Sequence, residues 1–128
     1  MDRISLGAYG ERLAATHLAA AGCIIRDRNW RTKGGELDLV AEDGGEIIFV
    51  EVKTRQGNAY GYPEDAVTYA KRRRLRLAAH AYLTAYGLHG RPYRFDIVAV
   101  TVPRRGGPPS LARFRNAVGE HGGGAATG

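Results

Sequence analysis

The segment GGELDLVAEDGGEIIFVEVKTR, from Gly34 to Arg55, constrains the fold of this chain more than any other. Two runs of alternating apolar residues flank Gly44 and Gly45, a pattern typical of two antiparallel strands joined by a tight turn. Strands usually avoid charged side chains. This hairpin nevertheless carries four: Glu36, Asp38, Glu51 and Lys53.

A two-residue turn at Gly44 and Gly45 would place Asp38 opposite Glu51 and Glu36 opposite Lys53, because antiparallel strands pair symmetrically about the turn. Side chains alternate along a strand, so all four charged residues would project from one side. The apolar set on the other side is Leu37, Leu39, Ala41, Ile48, Val50 and Val52. We therefore expect one side of the hairpin to face the core, and the other side to carry a reactive site or to face solvent. A three-residue turn would break this register.

The predicted carboxylate pair suggests a metal site. Directly opposed side chains lie about 4.5–5.5 Å apart, and two carboxylates at that distance repel each other unless a cation or a proton lies between them. A divalent ion such as Mg²⁺ binds one or two carboxylates together with waters and phosphate oxygens. Lys53 would then hold a water or stabilise charge on phosphorus, an arrangement suited to phosphodiester hydrolysis. In the alternative interpretation, Glu36 and Lys53 form a surface ion pair, while Asp38 and Glu51 are solvated.

Composition limits the class of protein and its partners. The 128 residues suffice for one domain, and 44% hydrophobic with 25% charged residues is typical of a globular chain. A net charge of +6 favours polyanionic partners, nucleic acid first. We find no signal peptide and no apolar run long enough to span a membrane, so we expect a cytoplasmic protein without a membrane partner.

The pattern along the chain predicts an α/β fold, a small mixed sheet with helices packed on it. The predicted elements are a helix capped by Ser5 and ending at Gly22, strands over 23–30, 36–42 and 46–55, a helix starting near Glu64 and Asp65 and ending at Gly87, a strand over 94–102 and an edge strand within 111–118. Residues 1–118 then form one domain. Residues 119–128 are predicted to be a disordered glycine-rich tail.

A dense basic cluster lies in the second predicted helix. Five of the six positions from 71 to 76 are basic: Lys71, Arg72, Arg73, Arg74 and Arg76. Such a cluster can grip phosphates or simply form a solvated helix face, and both interpretations stay open. Arg55, on the predicted face of Lys53, is a further candidate contact to a bound strand.

Asp38 followed by Glu51-Val52-Lys53 resembles the D…E-x-K core of the restriction-endonuclease-like nucleases. The resemblance extends to GAYGERLAATHLAAAG, RDRNWR, AYGYPEDAVTYAKRRRL and YRFDIVAV, which together resemble the YraN family, small bacterial proteins similar to Holliday-junction resolvases. It covers roughly Gly7 to Val118. The resemblance implies a restriction-endonuclease-like, three-layer fold with the order helix, three strands, helix, strand.

The same resemblance implies roles for individual residues. Asp38 and Glu51, with the main-chain carbonyl of Val52, would bind Mg²⁺ or Mn²⁺, and Lys53 would position or activate water. Glu11, in GERLA, matches an acidic position that resolvase-like members bring toward the metal, although an exposed helical glutamate is the alternative. Two further positions match the family, Glu36 in the site and Lys71 in the basic cluster.

The function implied is a metal-dependent endonuclease acting on DNA, including branched or partly single-stranded DNA. Resolvase-like enzymes that cut two strands symmetrically tend to act as dimers, which is compatible with a homodimer. The alternative is a non-catalytic nucleic-acid binding module on a nuclease scaffold, with DNA binding that is indifferent to metal.

Overall fold

The computed structural model describes residues 3–57, 68–117 and 121–122, with side chains over 6–57 and 68–117. It contains two helices and a mixed sheet. The elements are α1 (Arg3–Ala20), β1 (Ile24–Thr32), β2 (Gly35–Asp43), β3 (Glu46–Gln56), α2 (Tyr69–Ala85), β4 (Tyr93–Val102), β5 (Ser110–Phe114) and β6 (His121–Gly122). The predicted α/β class is confirmed. The predicted strand within 111–118 corresponds to β5.

The sheet has the spatial order β1-β2-β3-β4-β5, and the two-residue β6 also pairs with β4. Among the strands that the structure describes, β3 and β4 run parallel, because α2 crosses between them, whereas the other pairs are antiparallel. Two residues of the predicted tail, His121 and Gly122, therefore pair with β4.

The hairpin of β2 and β3 has the predicted turn. Asp43 pairs with Glu46, and the register continues symmetrically as far as Leu39 and Val50. Gly44 and Gly45 both have positive φ, 59° and 89°, the conformation that a two-residue hairpin turn requires and glycine adopts without strain.

A helix covers each face of the sheet, so the interior consists of two apolar clusters. One cluster joins α1 to the sheet through Ala14, Ala15, Leu18, Leu39, Ala41, Ile48, Val50, Val98 and Val100. The other joins α2 to the sheet through Leu37, Val40, Ile47, Phe49, Leu75, Ala78, Ala79, Tyr82, Leu83, Phe95 and Ile97. The expectation that only one side of the hairpin faces the core is therefore wrong, because α2 buries most of the other side.

The predicted side of Leu37 is also wrong. Leu37 packs beneath α2, whereas Leu39, two residues later, packs beneath α1. Asn29, in the strand paired with this part of β2, has φ 51°, which is unusual for a strand residue. A left-handed residue interrupts the regular alternation of a strand, and the change of side in β2 occurs at the same level of the sheet.

The helix ends agree only partly with the sequence. Helix α1 begins at Arg3, so Ser5 lies within the helix and is not its N-cap. Gly22, with φ 98°, follows the helix end as predicted, and Cys23 N donates to Leu18 O at 2.9 Å. Helix α2 is capped by Thr68, whose side chain accepts from Lys71 N. The predicted start at Glu64 and Asp65 lies outside the described residues.

Within the described ranges, neither helix is long and apolar enough to cross a lipid bilayer.

Candidate functional site

The candidate site forms where β2 and β3 separate. Their paired register ends at Leu39 and Val50. At the next residue of β2, the side chain of Asp38 replaces a main-chain carbonyl as the acceptor. Its Oδ2 accepts a hydrogen bond of 2.8 Å from Val52 N of β3. Asp38 is thus fixed to β3 by its carboxylate, which leaves a gap between the two strands at this point.

Glu51 is the buried acid of the site. Its side chain extends from β3, and only 7% of the residue is exposed. Oε1 lies 2.5 Å from Nζ of Lys71 in α2 and 3.4 Å from Nζ of Lys53. Two ammonium groups from different elements therefore meet at one carboxylate oxygen. Solvation of Glu51, the alternative to a metal site, is excluded by this burial.

Asp38 and Glu51 act on each other directly. Burial, the negative charge of Glu51 and a hydrogen bond with its side chain raise the pKa of Asp38 to about 8, and the Val52 N–H only partly offsets this rise. The expected convergence of the two acids is therefore observed. It arises where the strands diverge, whereas the prediction placed it in a continuing ladder.

The two lysines of the site are not equivalent. Burial first, and the neighbouring amine of Lys71 second, lower the pKa of Lys53. Burial opposes the charged form of Lys71 as well, but hydrogen bonds to Glu51 and Lys53 raise its pKa overall. Lys71 therefore holds its proton more firmly, and Lys53 gives up a proton more easily than an ordinary lysine. The sequence placed Lys71 among DNA contacts, whereas the structure brings it into the acidic site.

Glu11 reaches the same site from α1. Burial raises its pKa, a hydrogen bond with the side chain of Asn29 lowers it, and the charges of Glu36 and Glu51 raise it further. Glu11 is thus half-buried within the field of the other acids, and the alternative of an exposed helical glutamate is wrong. Sequence reasoning missed Asn29. The available signal was an asparagine, a residue that tolerates positive φ, inside a strand.

Glu36 does not pair with Lys53, so the prediction that they lie opposite each other and the alternative interpretation of a surface ion pair between them are both wrong. The carboxylate of Glu36 lies 3.4 Å from Nε of Arg31, its partner in the register between β1 and β2. Because β2 and β3 are no longer paired below Leu39, position 36 does not face position 53. Arg55, also on β3, is half-buried.

The site opens into a pocket of about 240 Å³. It is lined by Gly35, Glu36, Asp38, Glu51, Lys71, Arg74 and Leu75. The predicted basic cluster of α2 is divided by the helix: Lys71 and Arg74 line the pocket, whereas Arg72 and Arg73 are exposed and do not. The pocket is therefore acidic at its base and basic along its helical wall.

The residues able to bind a cation are two acids and a main-chain oxygen. Within the described ranges, no group of three or more His, Cys, Asp and Glu side chains is arranged to hold a metal ion. The Val52 N–H points to Asp38. In an extended strand the C=O of a residue points to the same side as its N–H. The Val52 carbonyl therefore faces the gap beside Asp38, where the family resemblance implied a ligand.

Comparison with known proteins identifies the family. The model of the uncharacterised protein family UPF0102 matches residues 10–100, which include Glu11, Asp38, Glu51, Lys53 and Lys71. The chain belongs to the UPF0102 family. UPF0102 is the YraN family, so the predicted membership of that family is confirmed.

Curated UPF0102 proteins match over most of their length. One from Rhodococcus jostii is 48% identical over 114 residues, which cover 89% of this chain and 96% of the relative. Another, from Beutenbergia cavernae, is 50% identical over 102 residues, 80% of this chain and 86% of the relative. A UPF0102 protein of Symbiobacterium thermophilum is 52% identical over 95 residues, 74% of this chain and 80% of the relative.

Proposed function

We propose that this UPF0102 protein is a metal-dependent endonuclease that hydrolyses phosphodiester bonds in DNA, with a restriction-endonuclease-like fold. One observation carries the proposal: Asp38 and Glu51 converge beside Lys53 and Lys71 at the base of an open pocket. A solvated strand face would not hold a buried Glu51 against a half-buried Asp38, because isolated buried charges are strongly unfavourable.

The donor set fits Mg²⁺ or Mn²⁺. Hard divalent ions prefer carboxylate and carbonyl oxygens, and Mg²⁺ commonly keeps several waters beside one or two carboxylates. Asp38, Glu51 and the Val52 carbonyl would hold the ion, and the pocket leaves room for waters and a phosphate. Glu11, on the α1 side of the site, adds negative charge nearby. When bound, such an ion supplies charge neutralisation at the phosphate and acidifies a water.

The remaining steps belong to the side chains of the protein. Lys53, whose pKa is lowered, is suited to accept a proton from an attacking water. Lys71 keeps its charge and contacts Glu51, so it is suited to neutralise a phosphate oxygen as negative charge develops. Arg74, on the pocket wall, would orient the substrate by contact with its backbone.

A cleavage assay with matched variants tests the proposal. The wild-type protein is incubated with Mn²⁺ or Mg²⁺ and with single-stranded, duplex and four-way branched DNA. We expect cleavage of at least one substrate, with a loss of at least about 100-fold in Asp38→Asn and in Glu51→Gln, as for removal of groups that act in the transition state. Arg115→Ala, at an exposed residue just after β5, serves as the control and should cleave normally.

A second candidate function is a non-catalytic nucleic-acid binding module. The observation that favours it is the contact of Glu51 with two ammonium groups, which compensates its charge without a metal ion. This candidate predicts DNA binding that is unchanged by Mn²⁺ and by Glu51→Gln. Absence of cleavage of every substrate, together with DNA binding that Mn²⁺ and Glu51→Gln leave unchanged, would exclude the nuclease in favour of this module. Cleavage that survives Asp38→Asn would contradict the proposed active site.

A further inference from the structure

A second cavity continues the candidate active pocket. It has a volume of about 420 Å³ and is lined by the turn between β1 and β2 and by α2. We name it the turn groove, formed by Arg31, Thr32, Lys33, Gly34, Gly35, Glu36 and Arg74. Gly35, Glu36 and Arg74 also line the pocket that contains Asp38 and Glu51. The two cavities therefore share one wall.

The charges of the turn groove differ from those of the pocket. Three basic side chains face one carboxylate, and that carboxylate, Glu36, is already paired with Arg31 at 3.4 Å. Lys33 and Arg74 are exposed and have no ion-pair partner among the side chains that the structure describes. An open groove with two uncompensated cations favours an anion that extends along it.

A glycine brings the two sides of the groove together. A Cβ added at Gly35 would lie 2.7 Å from Arg74 O, so any side chain at this position would push the start of β2 away from α2. The absence of a side chain allows α2 to present Arg74 directly beside the turn that carries Lys33. The groove is therefore formed by close packing of two defined elements.

We propose that the turn groove binds the phosphodiester backbone of the nucleic-acid strand next to the bond that is cut. The proposal deepens the nuclease function and rests on it for the position of that bond. Phosphate contacts fix the register of a strand without reading its sequence. Lys33 and Arg74 would each contact one phosphate, so the substrate must extend beyond the cleaved bond into the groove.

Binding without cleavage provides the test. Labelled single-stranded, duplex and branched DNA, and RNA of the same sequence, are titrated with the Asp38→Asn protein in EDTA while fluorescence anisotropy is recorded. The variants Lys33→Ala, Arg74→Ala and their combination are compared with Arg115→Ala. Circular dichroism checks that each variant is folded, and Lys33→Arg and Arg74→Lys check that charge is the property required.

We expect the double variant to bind at least about tenfold more weakly at physiological salt, and the single variants to show intermediate losses. The slope of log affinity against log salt should become less negative by about 1.4 for a single strand or about 1.8 for a duplex, as for two lost phosphate contacts. Arg115→Ala should leave both quantities unchanged. Equal losses for DNA and RNA would show that the groove reads only the backbone; a loss confined to one would assign it to that polymer.

The possible outcomes separate this proposal from the nuclease. If the folded double variant binds as tightly as its parent, or if the parent binds no nucleic acid, the groove assignment is overturned even if the wild type cleaves. If the double variant loses binding while the wild type cleaves nothing with either metal, the groove stands as a backbone-binding surface and the nuclease does not.

Discussion

At the scale of single residues, Asp38 bears the largest electrostatic cost in the site. It is held near Glu51 in a position where its charged form is disfavoured, and the Val52 N–H only partly compensates this effect. A buried acid that repels a neighbour lowers stability, and such residues are retained where function requires them. Removing the charge at position 38 should therefore strengthen the fold.

The first prediction concerns the stability of Asp38→Asn. The pKa of Asp38 is about 8 in the folded protein and 3.8 in the unfolded reference, so folding takes up a proton between these values. The contribution of Asp38 to the stability of the wild type must then fall as pH rises from about 4 to about 8, because at this residue the folded state binds more protons than the unfolded state. Asparagine carries no such charge and still accepts from Val52 N.

At pH 8 in EDTA we expect Asp38→Asn to unfold at a higher temperature than the wild type, by about 4 °C for each kcal/mol gained, with the difference shrinking toward pH 4. Differential scanning fluorimetry across this range measures it. Asp38→Ala is the matched control, because it leaves the Val52 N–H unpaired at a cost of about 1–3 kcal/mol. A less stable Asp38→Asn at pH 8 would contradict the account of the site.

At the scale of elements, a glycine places the helix that carries Glu11. A Cβ at Gly10 would lie 1.8 Å from Thr54 Oγ1, so α1 lies directly against β3 at this position. Gly7, one turn earlier, has open space at the corresponding point. The close approach brings the next residue, Glu11, within reach of Asn29.

The second prediction compares Gly10→Ala with Gly7→Ala. Alanine favours a helix over glycine by about 1 kcal/mol, so Gly7→Ala should raise stability by up to that amount. Gly10→Ala should instead lose about 1–3 kcal/mol, because the added methyl group forces α1 away from β3. Urea unfolding of both variants measures the difference. Equal effects of the two substitutions would show that α1 does not need this contact.

The contact of Gly10 with Thr54 should affect the candidate site as well as stability, because Glu11 follows Gly10 in α1. In Gly10→Ala the Glu11 carboxylate should move from Asn29, so metal affinity, measured by calorimetry, should fall together with the cleavage rate. Gly7→Ala should leave metal affinity unchanged.

At this scale the sequence predicted correctly those features that are set by residues adjacent in the chain. The turn at Gly44 and Gly45 follows from two adjacent glycines, and its register followed from symmetry alone. The prediction failed where another strand decides the geometry: the positive φ of Asn29 and the separation of β2 from β3 changed the side of Leu37 and the partner of Glu36.

Helix α2 shows the same limit. Leu77 is 51% exposed, whereas Leu75, which lies between two arginines in the sequence, is buried. Lys71 was recognised as basic, but its contact with Glu51 depends on how α2 crosses the sheet, which no local pattern encodes. Pairing of the two acids was predictable from the hairpin; the addition of the second lysine to their site was not.

At the scale of the whole molecule, the excess basic residues fall into two groups, one buried in ion pairs and one exposed. Arg94 and Arg113 both hold the carboxylate of Asp96, which is 0% exposed. Asn116 N donates a further hydrogen bond of 2.9 Å to it. These arginines are structural and are not available to a nucleic acid. Exposed cations such as Lys33 and Arg74 remain available to attract one.

The last prediction concerns Asp96→Asn. Asp96 joins β4, β5 and the segment after β5, and its register partner in β3 is Val50, the residue before Glu51. Neutralising it would leave the largely buried guanidinium of Arg113 without the carboxylate that it contacts, and that of Arg94 with Glu46 alone. Loss of one partner of a buried ion pair typically costs about 3–5 kcal/mol. Asn keeps one acceptor oxygen, so the lower end of that range is expected, as a fall in the free energy of unfolding in urea.

Arg91→Ala is the comparison, because the contacts of Arg91 are more exposed. Its ion pair with Glu42, at 3.2 Å, should contribute only up to about 1 kcal/mol, and its hydrogen bonds to Gly45 O are exposed as well. If both substitutions cost the same small amount, the buried carboxylate is not what fastens this edge of the sheet. If Asp96→Asn is much more costly, then the carboxylate fastens β4, the neighbour of β3 on the side opposite the gap at Asp38, to β5 and the segment after it. The gap can then remain open for a ligand without loosening the sheet, because the pairing that β3 lacks toward β2 is supplied by its ladder with β4.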